Sequence, residues 1–171
     1  IGRSTINQIW LRHFLDSSQV IDFIDKNDNN LVDLGSGAGF PGLVIAILAK
    51  DRKIPLKVKL IEKSPRKASF LKEIIQNLNL KVEVLNLNVL KQPEKLRADL
   101  IIARAFMPLK IILRFLDKST KNWKKVFLFL GKTGQVELLQ ASKNWDIEYK
   151  QRMSVTSSDS MVIEINKLKK K

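Results

Sequence analysis

The sequence predicts an α/β protein whose doubly wound, mostly parallel sheet carries helices on both faces. Short apolar segments alternate with amphipathic segments along most of the chain, which indicates strands joined by helical crossovers. A glycine-rich turn directly follows the first apolar segment and precedes a helical one. The last two apolar segments have no helix between them, and this predicts an antiparallel strand pair at the C-terminal edge.

The individual elements follow from apolar periodicity and from the residues that begin helices. The predicted strands are 31–34, 57–62, 82–87, 100–103, 126–130, 147–155 and 161–168, and the predicted helices are 41–50, 65–78, 108–116 and 135–142. Ser64 is expected to cap the second of these helices, and Pro65 stands in its first turn. Before the sheet, the pattern predicts a helix capped by Ser4 with Trp10 on its apolar face, and a second short helix over 20–24.

A chain of 171 residues suits a single domain. Residues 1–30 are expected to form a helical N-terminal segment, residues 31–168 the sheet-containing core, and the lysine-rich residues 167–171 a solvated tail. A serine-rich loop is expected between the last two strands. Because the chain begins at Ile1 rather than at a methionine, we expect part of an N-terminal segment to be missing.

The charge of the chain indicates a polyanionic partner. Lysine and arginine total 31 against 17 aspartate and glutamate, which gives a formal net charge of +14. Nucleic acid is the first candidate, because lysine and arginine contacts to phosphates release counterions. The alternative is a lysine-rich composition without a functional basic surface.

The residue inventory excludes several kinds of site. The chain has no cysteine, so it has neither disulfides nor thiolate metal sites, and His13 is its only histidine. No apolar stretch is long enough to cross a bilayer and no signal-peptide pattern opens the chain. We therefore expect no metal, no membrane association, a cytoplasmic location and a monomer.

The glycine-rich turn predicts a binding loop for an adenosine-containing cofactor. Glycines at 35, 37, 39 and 42 let the backbone turn sharply and approach a ligand closely. The spacing also satisfies the dinucleotide fingerprint, and a tight turn without a ligand is the structural alternative. Asp33 inside the strand favours S-adenosylmethionine, whose amino group the carboxylate would hold directly or through water. The short chain, with no room for a separate substrate domain, favours it as well.

Glu62 ends the second predicted strand and is expected to bind the ribose of the cofactor. A carboxylate at this place accepts hydrogen bonds from both ribose hydroxyls. Enzymes that use NAD have the same device, so Glu62 indicates an adenosine ligand without separating the two cofactors. A solvated strand end is the structural alternative.

Four segments together resemble the GidB family of guanine-N7 methyltransferases, which act on bacterial small-subunit ribosomal RNA. The segment 33–42, Asp-Leu-Gly-Ser-Gly-Ala-Gly-Phe-Pro-Gly, resembles its cofactor loop. The segment 12–17, Arg-His-Phe-Leu-Asp-Ser, resembles its upstream motif, and 60–64, Leu-Ile-Glu-Lys-Ser, its second strand. The segment 103–106, Ala-Arg-Ala-Phe, resembles its motif after the fourth strand. The resemblance implies a Rossmann-like class I methyltransferase fold, S-adenosylmethionine as cofactor, and 16S ribosomal RNA or the small subunit as partner.

The resemblance also implies roles for individual positions. The expected cofactor-binding residues are Asp33, Gly35, Ser36, Gly37, Phe40, Glu62, Val89, Leu90 and Arg104, and the expected catalytic residues are Arg104, His13 and Arg12. Asp16 matches a residue expected at the mouth of the active site. The family's Arg-x-Glu is replaced by 88–90, Asn-Val-Leu, so the adenine contact at Leu90 must be made by backbone or apolar atoms. The family's N-terminal helices are mostly absent.

Guanine N7 methylation requires few catalytic groups. The N7 atom carries a lone pair and no proton, so the reaction needs alignment of the two reactants rather than a general base. Arg104 is expected to orient the guanine through O6 or a phosphate, and Phe40 or Phe106 to stack on the base. Two rival interpretations remain open: an NAD(P)-binding domain, and a degenerate methyltransferase fold that serves as an RNA-binding module.

Overall fold

The computed structural model describes residues 7–92, 96–119 and 122–171, without the side chain of Ser119, and shows one seven-stranded sheet. The strands lie in the order β3-β2-β1-β4-β5-β7-β6. The first five are parallel, and β7 and β6 add an antiparallel pair at one edge. The predicted α/β class, the mostly parallel sheet and the antiparallel C-terminal pair are confirmed.

The strands and helices alternate as the sequence predicts. The strands are β1 (Asn30–Leu34), β2 (Lys57–Ile61), β3 (Val82–Leu85), β4 (Leu100–Arg104), β5 (Lys125–Leu130), β6 (Trp145–Ser154) and β7 (Ser157–Lys170). The helices are α1 (Asp16–Ser18), α2 (Gly42–Asp51), α3 (Pro65–Asn77), α4 (Leu109–Ser119) and α5 (Gly134–Ala141). Ser64 stands at the N-cap of α3, but its side chain makes no capping hydrogen bond.

The two faces of the sheet carry two apolar cores, because successive side chains of a strand point to opposite faces. In β1, Leu31 packs in the core beneath α2 and α3, and Val32 packs in the core beneath α4 and α5. Each helix supplies one apolar stripe. In α4 the buried residues are Leu109, Ile112, Leu113, Phe115 and Leu116, whose spacing is that of one helix face.

The last strand, β7, begins earlier and ends later than the sequence predicts. The strand β7 runs to Lys170 and pairs with β6 as far as Trp145, so residues 167–170 form a strand and not a tail. The serine-rich stretch at 157–160 belongs to the same strand, and only residues 155 and 156 form the turn. Backbone pairing along the sheet edge accounts for both differences, because it orders exposed residues that have no apolar periodicity.

The N-terminal segment is helical but irregular. Trp10–Leu15 form a π-helix that continues into α1, and Ile21–Phe23 form a single 3₁₀ turn in place of the predicted second helix. Trp10 is 71% exposed and stacks on Phe14 at 4.5 Å between ring centroids, rather than packing in the core. The predicted cap at Ser4 lies outside the described residues. No described helix combines the length and the apolar character that a membrane span requires.

Candidate functional site

A cavity of about 390 Å³ opens at the edge of the sheet where the parallel strands end. The loop after β1, the residues that follow β2, the segment 87–90 beyond β3 and the loop after β4 line it. His13 closes one side. Ligands bind at this edge in doubly wound sheets, and small-molecule pockets occupy about 300–1,000 Å³. The cavity therefore has the place and the size of a cofactor site.

The structure brings most of the predicted site residues together around this cavity. The predicted residues that line it are His13, Gly35, Ser36, Gly37, Phe40, Glu62, Val89, Leu90 and Arg104. Asp33 and Arg12 do not line it. Of the pair after β3, Val89 is buried and Leu90 is about half exposed, with its N–H donating to the side-chain oxygen of Asn88.

The glycine loop owes its shape to backbone angles that only glycine adopts easily. Gly35, Gly37 and Gly39 have φ angles of +72°, +59° and +98°. A Cβ atom on Gly35 would lie 2.3 Å from the ring of Phe106, so this glycine lets the ring approach the loop. A Cβ atom on Gly37 would meet nothing closer than 3.8 Å. The absent side chain of Gly37 therefore leaves space for a ligand, whereas that of Gly35 leaves space for the ring of Phe106.

Glu62 holds the glycine loop in place. One carboxylate oxygen accepts a hydrogen bond from the Gly37 N–H at 3.0 Å, and the other accepts from the Ser64 N–H at 2.8 Å. The side chain is buried, yet it borders the cavity. Each carboxylate oxygen has a second lone pair, so Glu62 retains acceptor capacity for hydroxyl groups inside the cavity.

Asp33 lies behind the loop rather than in the cavity. It is fully buried, and its Oδ2 accepts from the Gly42 N–H at 3.0 Å at the start of α2. Its Oδ1 has no hydrogen-bond partner within the described residues. Burial raises the pKa of Asp33 to about 7, although the Gly42 N–H opposes the rise. Asp33 therefore does not reach the cavity directly, and it supports the loop through Gly42. A hold on the amino group through water stays a prediction.

We expect Asp33 to make stability depend on pH. Its pKa is higher in the folded chain than the ordinary 3.8, so the folded chain binds more protons between about pH 4 and pH 7. The free energy of unfolding therefore falls as pH rises through this window, in total by a few kcal/mol. Asp33→Asn keeps an acceptor for the Gly42 N–H but does not titrate. Urea unfolding at several pH values should show a flatter profile for the variant, and an equal slope in both proteins would contradict the assignment.

Arg104 ends β4 and joins the N-terminal segment to the site. Its Nη2 lies 3.1 Å from Oδ2 of Asp16 and donates to the backbone carbonyl of Arg12. Its guanidinium lies 5.8 Å from the ring centroid of Phe129. Burial lowers the pKa of Arg104, and the negative charge of Asp16 opposes this. Nη1 is buried without a hydrogen-bond partner among the described residues, whereas the side chain as a whole is about one-fifth exposed and borders the cavity.

Asp16 is itself held by a network that reaches across the chain. Its Oδ1 accepts from the Ser154 hydroxyl at 2.6 Å and from the Gln19 side-chain amide at 2.9 Å. Thr156, in the turn between β6 and β7, contacts the same oxygen at 3.4 Å. The side chain is buried. Asp16 thus stands between the β6–β7 turn and Arg104, and it orients the guanidinium.

The N-terminal residues predicted at the site divide into two kinds. The ring of His13 lines the cavity and lies 5.1 Å from the ring of Phe40, which also makes an edge contact with Phe14. Burial, followed by the positive charge of Arg104, lowers the pKa of His13 and so favours the neutral ring. The Arg12 side chain is exposed, and its backbone carbonyl accepts a hydrogen bond from Arg104, so a catalytic role of the side chain stays a prediction.

Several cavity residues escape prediction from the sequence. Lys63 and Lys67 add positive charge at the mouth, and Leu87 and Met107 add apolar surface. Lys63 lies in the family-like segment 60–64 and Lys67 follows it by three residues, so the segment is the signal that could have indicated both. Among the described residues no group of three or more acidic or histidine side chains is placed to hold a metal ion.

Comparisons with known proteins agree with this geometry. The GidB family model, described as rRNA small subunit methyltransferase G, matches residues 1–165. A ribosomal RNA small subunit methyltransferase G from Pelagibacter ubique is 43% identical over 160 residues, which cover 94% of this chain and 75% of that protein. One of the same name from Rickettsia akari is 34% identical over 172 residues, covering 99% and 85%.

Solved structures share the fold. A SAM-dependent methyltransferase from Aquifex aeolicus superposes with a TM-score of 0.66 at 18% identity, covering 96% of this chain and 98% of that one. TrmK of M. capricolum, in complex with S-adenosyl-homocysteine, gives a TM-score of 0.64 at 16% identity, covering 88% and 67%. At these identities the likeness concerns the fold alone.

Proposed function

The chain belongs to the GidB family of small-subunit ribosomal RNA methyltransferases, and on that premise we propose that it transfers the methyl group of S-adenosylmethionine to N7 of a guanine in 16S ribosomal RNA. The chain is an enzyme of the S-adenosylmethionine-dependent class, and its sheet is that of class I methyltransferases. The methylated base, its N7 atom and the roles of the site residues are what we propose beyond the family.

The residues around the cavity fit S-adenosylmethionine. The observation that carries the assignment is the pair formed by Gly37 and Glu62: open space beside the loop, bordered by a buried carboxylate with free acceptor capacity. Glu62 would accept from the ribose hydroxyls, and the backbone of 35–37 would approach the remainder of the cofactor. Val89 and Leu90 would border the adenine with apolar and backbone atoms. The cofactor supplies an electrophilic methyl group on a sulfonium.

The protein's contribution to the reaction is alignment. Glu62 has both oxygens engaged with backbone N–H groups and His13 packs against Phe40, and the proposed reaction calls on neither as a general base. An acceptor atom without a proton, such as guanine N7, requires none. The guanidinium of Arg104 borders the cavity and is suited to guanine O6 or to a phosphate, and it would fix the base beside the methyl group. Arg104 and His13 would therefore act as orienting groups.

The kind of RNA target follows from where N7 lies. In A-form RNA the N7 edge faces a deep and narrow groove that side chains do not read, so the base must be in a loop or be turned outward. Phe40 and Phe106 line the cavity and offer rings for stacking, although each ring already packs against the protein. As part of the same proposal, the enzyme acts as a monomer, and it acts in the cytoplasm because ribosomal RNA is the substrate.

Methyl transfer from labelled S-adenosylmethionine tests the proposal directly. We expect label to be incorporated into 16S ribosomal RNA or into isolated small subunits at a single guanine. Reduction followed by aniline treatment should then cleave the RNA strand at that guanine. A wild-type protein that binds the cofactor but labels neither substrate would support the RNA-binding-module interpretation instead. Binding of NAD in place of S-adenosylmethionine would support the dinucleotide interpretation.

Glu62→Gln should weaken S-adenosylmethionine binding about tenfold. The amide loses the negative charge and one acceptor, and a charge-assisted hydrogen bond is worth at least about 1.5 kcal/mol. Calorimetric titration measures the affinity. Glu83→Gln is the matched control, because Glu83 is exposed on β3 and forms only a surface ion pair with Lys59. Equal affinity in both variants would show that Glu62 only ends a strand.

A further inference from the structure

A second and larger depression runs beside the cofactor cavity, between α4 and α5. Its volume is about 1,160 Å³, above the range of small-molecule pockets. Residues of α4 form one wall and residues of α5 the other, with the end of β7 contributing Lys170. We call it the α4–α5 groove.

The groove is continuous with the cofactor cavity. Ala105 and Met107, in the loop between β4 and α4, line both the groove and the cavity. Since Arg104 immediately precedes this loop at the site, a chain lying in the groove would reach the point where the reaction takes place. The helix α4 leads away from the site, so the groove provides a track rather than a second pocket.

One wall of the groove carries a row of positive charge. Lys110, Arg114 and Lys118 stand four residues apart on α4, and this spacing places them on one side of the helix over about 12 Å. All three are exposed, and within the described residues none forms a salt bridge. The cations are therefore not neutralised by the fold.

The two acids in the groove oppose this row only weakly. Glu137 accepts from the Leu109 N–H at 2.9 Å and from the Thr133 hydroxyl at 2.7 Å, so its carboxylate caps α4 and meets the positive end of the helix dipole. Asp117 is exposed beside Lys118. With Lys170 included, four cations face two acids, one of which is engaged in capping.

We propose that the α4–α5 groove binds the sugar–phosphate backbone of the RNA substrate and leads the strand to the loop at 105–107. This inference rests on the proposed function, because it says where the proposed RNA substrate lies on the protein surface. An open track lined by unpaired lysine and arginine suits a polyanionic strand, because each cation that meets a phosphate releases counterions. The contacts carry no sequence information, so the groove holds the strand while the site selects the base.

The test compares two triple variants of equal charge. Lys110→Gln/Arg114→Gln/Lys118→Gln removes the row of cations on α4. The control Lys57→Gln/Lys72→Gln/Lys81→Gln removes three exposed lysines, from β2, from α3 and from the residue before β3. The control lysines likewise form no salt bridge within the described part of the chain. Binding of a 16S ribosomal RNA transcript is measured by fluorescence anisotropy over a series of salt concentrations.

The groove variant should bind the transcript at least about tenfold more weakly than the wild type. The slope of log affinity against log salt concentration should be smaller in magnitude by about 2, because each phosphate contact to a single strand contributes about 0.7 to that slope. Its KM for RNA should rise while its affinity for S-adenosylmethionine stays that of the wild type. If its melting temperature drops, Arg114→Gln alone is compared with Arg114→Lys, which should restore binding.

Two results would overturn the inference. Equal RNA affinity and salt slope in the groove and control variants would show that the groove does not bind RNA. Loss of binding to isolated small subunits with unchanged binding to the naked transcript would assign the groove to an acidic ribosomal protein. Failure of the proposed function is seen separately, as absence of methyl transfer by the wild-type protein, because the anisotropy measurement does not depend on activity.

Discussion

Gly37→Val should abolish S-adenosylmethionine binding while the domain stays folded. The position has a φ of +59°, and an added Cβ would meet no protein atom closer than 3.8 Å. The branched side chain would therefore not clash with the protein but would fill the space left for the cofactor. We expect a loss of more than about 100-fold in affinity, which corresponds to about 2.8 kcal/mol. Calorimetric titration measures the affinity, and circular dichroism verifies the fold.

The control for this variant must carry the same backbone strain. A β-branched residue at positive φ is disfavoured wherever it stands, at a cost of about 1–2 kcal/mol. Asn79 has a φ of +48° and lies exposed in the turn before β3, so Asn79→Val imposes a comparable strain away from the cavity. The two variants should melt at similar temperatures, and only Gly37→Val should lose the cofactor. Normal binding by a folded Gly37→Val would remove the loop from the site.

The other glycines of the loop would not give so clear a result. A Cβ on Gly42 would lie 2.5 Å from Oδ2 of Asp33 and 2.6 Å from the Leu60 side chain. A Cβ on Gly35 would strike the ring of Phe106. Substitution at either position would disturb the packing of the protein. Loss of cofactor binding in such a variant would therefore not distinguish a binding role of the glycine from a folding role.

The parts of the site that the sequence predicts are those fixed by local geometry. The order of strands and helices follows from apolar periodicity, and parallel strands must end at one edge. Gly35, Gly37 and Glu62 follow strand ends directly, so their meeting at one cavity could be predicted. The family-like segments placed His13 and Arg104 at the same cavity, although they are distant in sequence.

The parts that escaped prediction depend on long-range contacts between polar atoms. The hydrogen bond from Ser154 to Asp16 joins residues 138 positions apart, and nothing in the periodicity of either segment indicates it. An acid at a strand end predicts a ligand contact for Asp33, but no local pattern indicates that its carboxylate lies behind the loop and accepts from the Gly42 N–H. The lysine-rich stretch 167–170 predicts a tail although it forms a strand, because an exposed strand at the sheet edge lacks apolar alternation.

Arg104→Lys should lower methyl transfer about 100-fold with little effect on cofactor affinity. Lysine keeps the charge beside Asp16 but loses the planar fork, whose Nη2 holds Asp16 and the Arg12 carbonyl at the border of the cavity. Misplacement of a reactant by about 1 Å costs about 100-fold in rate, and a base no longer held by the guanidinium would be misplaced in this way. Turnover, S-adenosylmethionine affinity and melting temperature are measured on the same variant.

The three measurements separate the possible roles of Arg104. If the residue orients the guanine, turnover falls far more than RNA affinity or stability. If it supports the cofactor, S-adenosylmethionine affinity falls in parallel with turnover, and if it is only a structural ion pair, the loss appears in the melting temperature. Asp16→Asn provides the comparison, because it removes the charge that orients the guanidinium and leaves Arg104 in place. A turnover defect shared by both variants, with cofactor binding intact, would establish that Asp16 acts through Arg104. Full turnover in Arg104→Lys would remove this arginine from the site, and with it the group that distinguishes guanine as the base in our proposal.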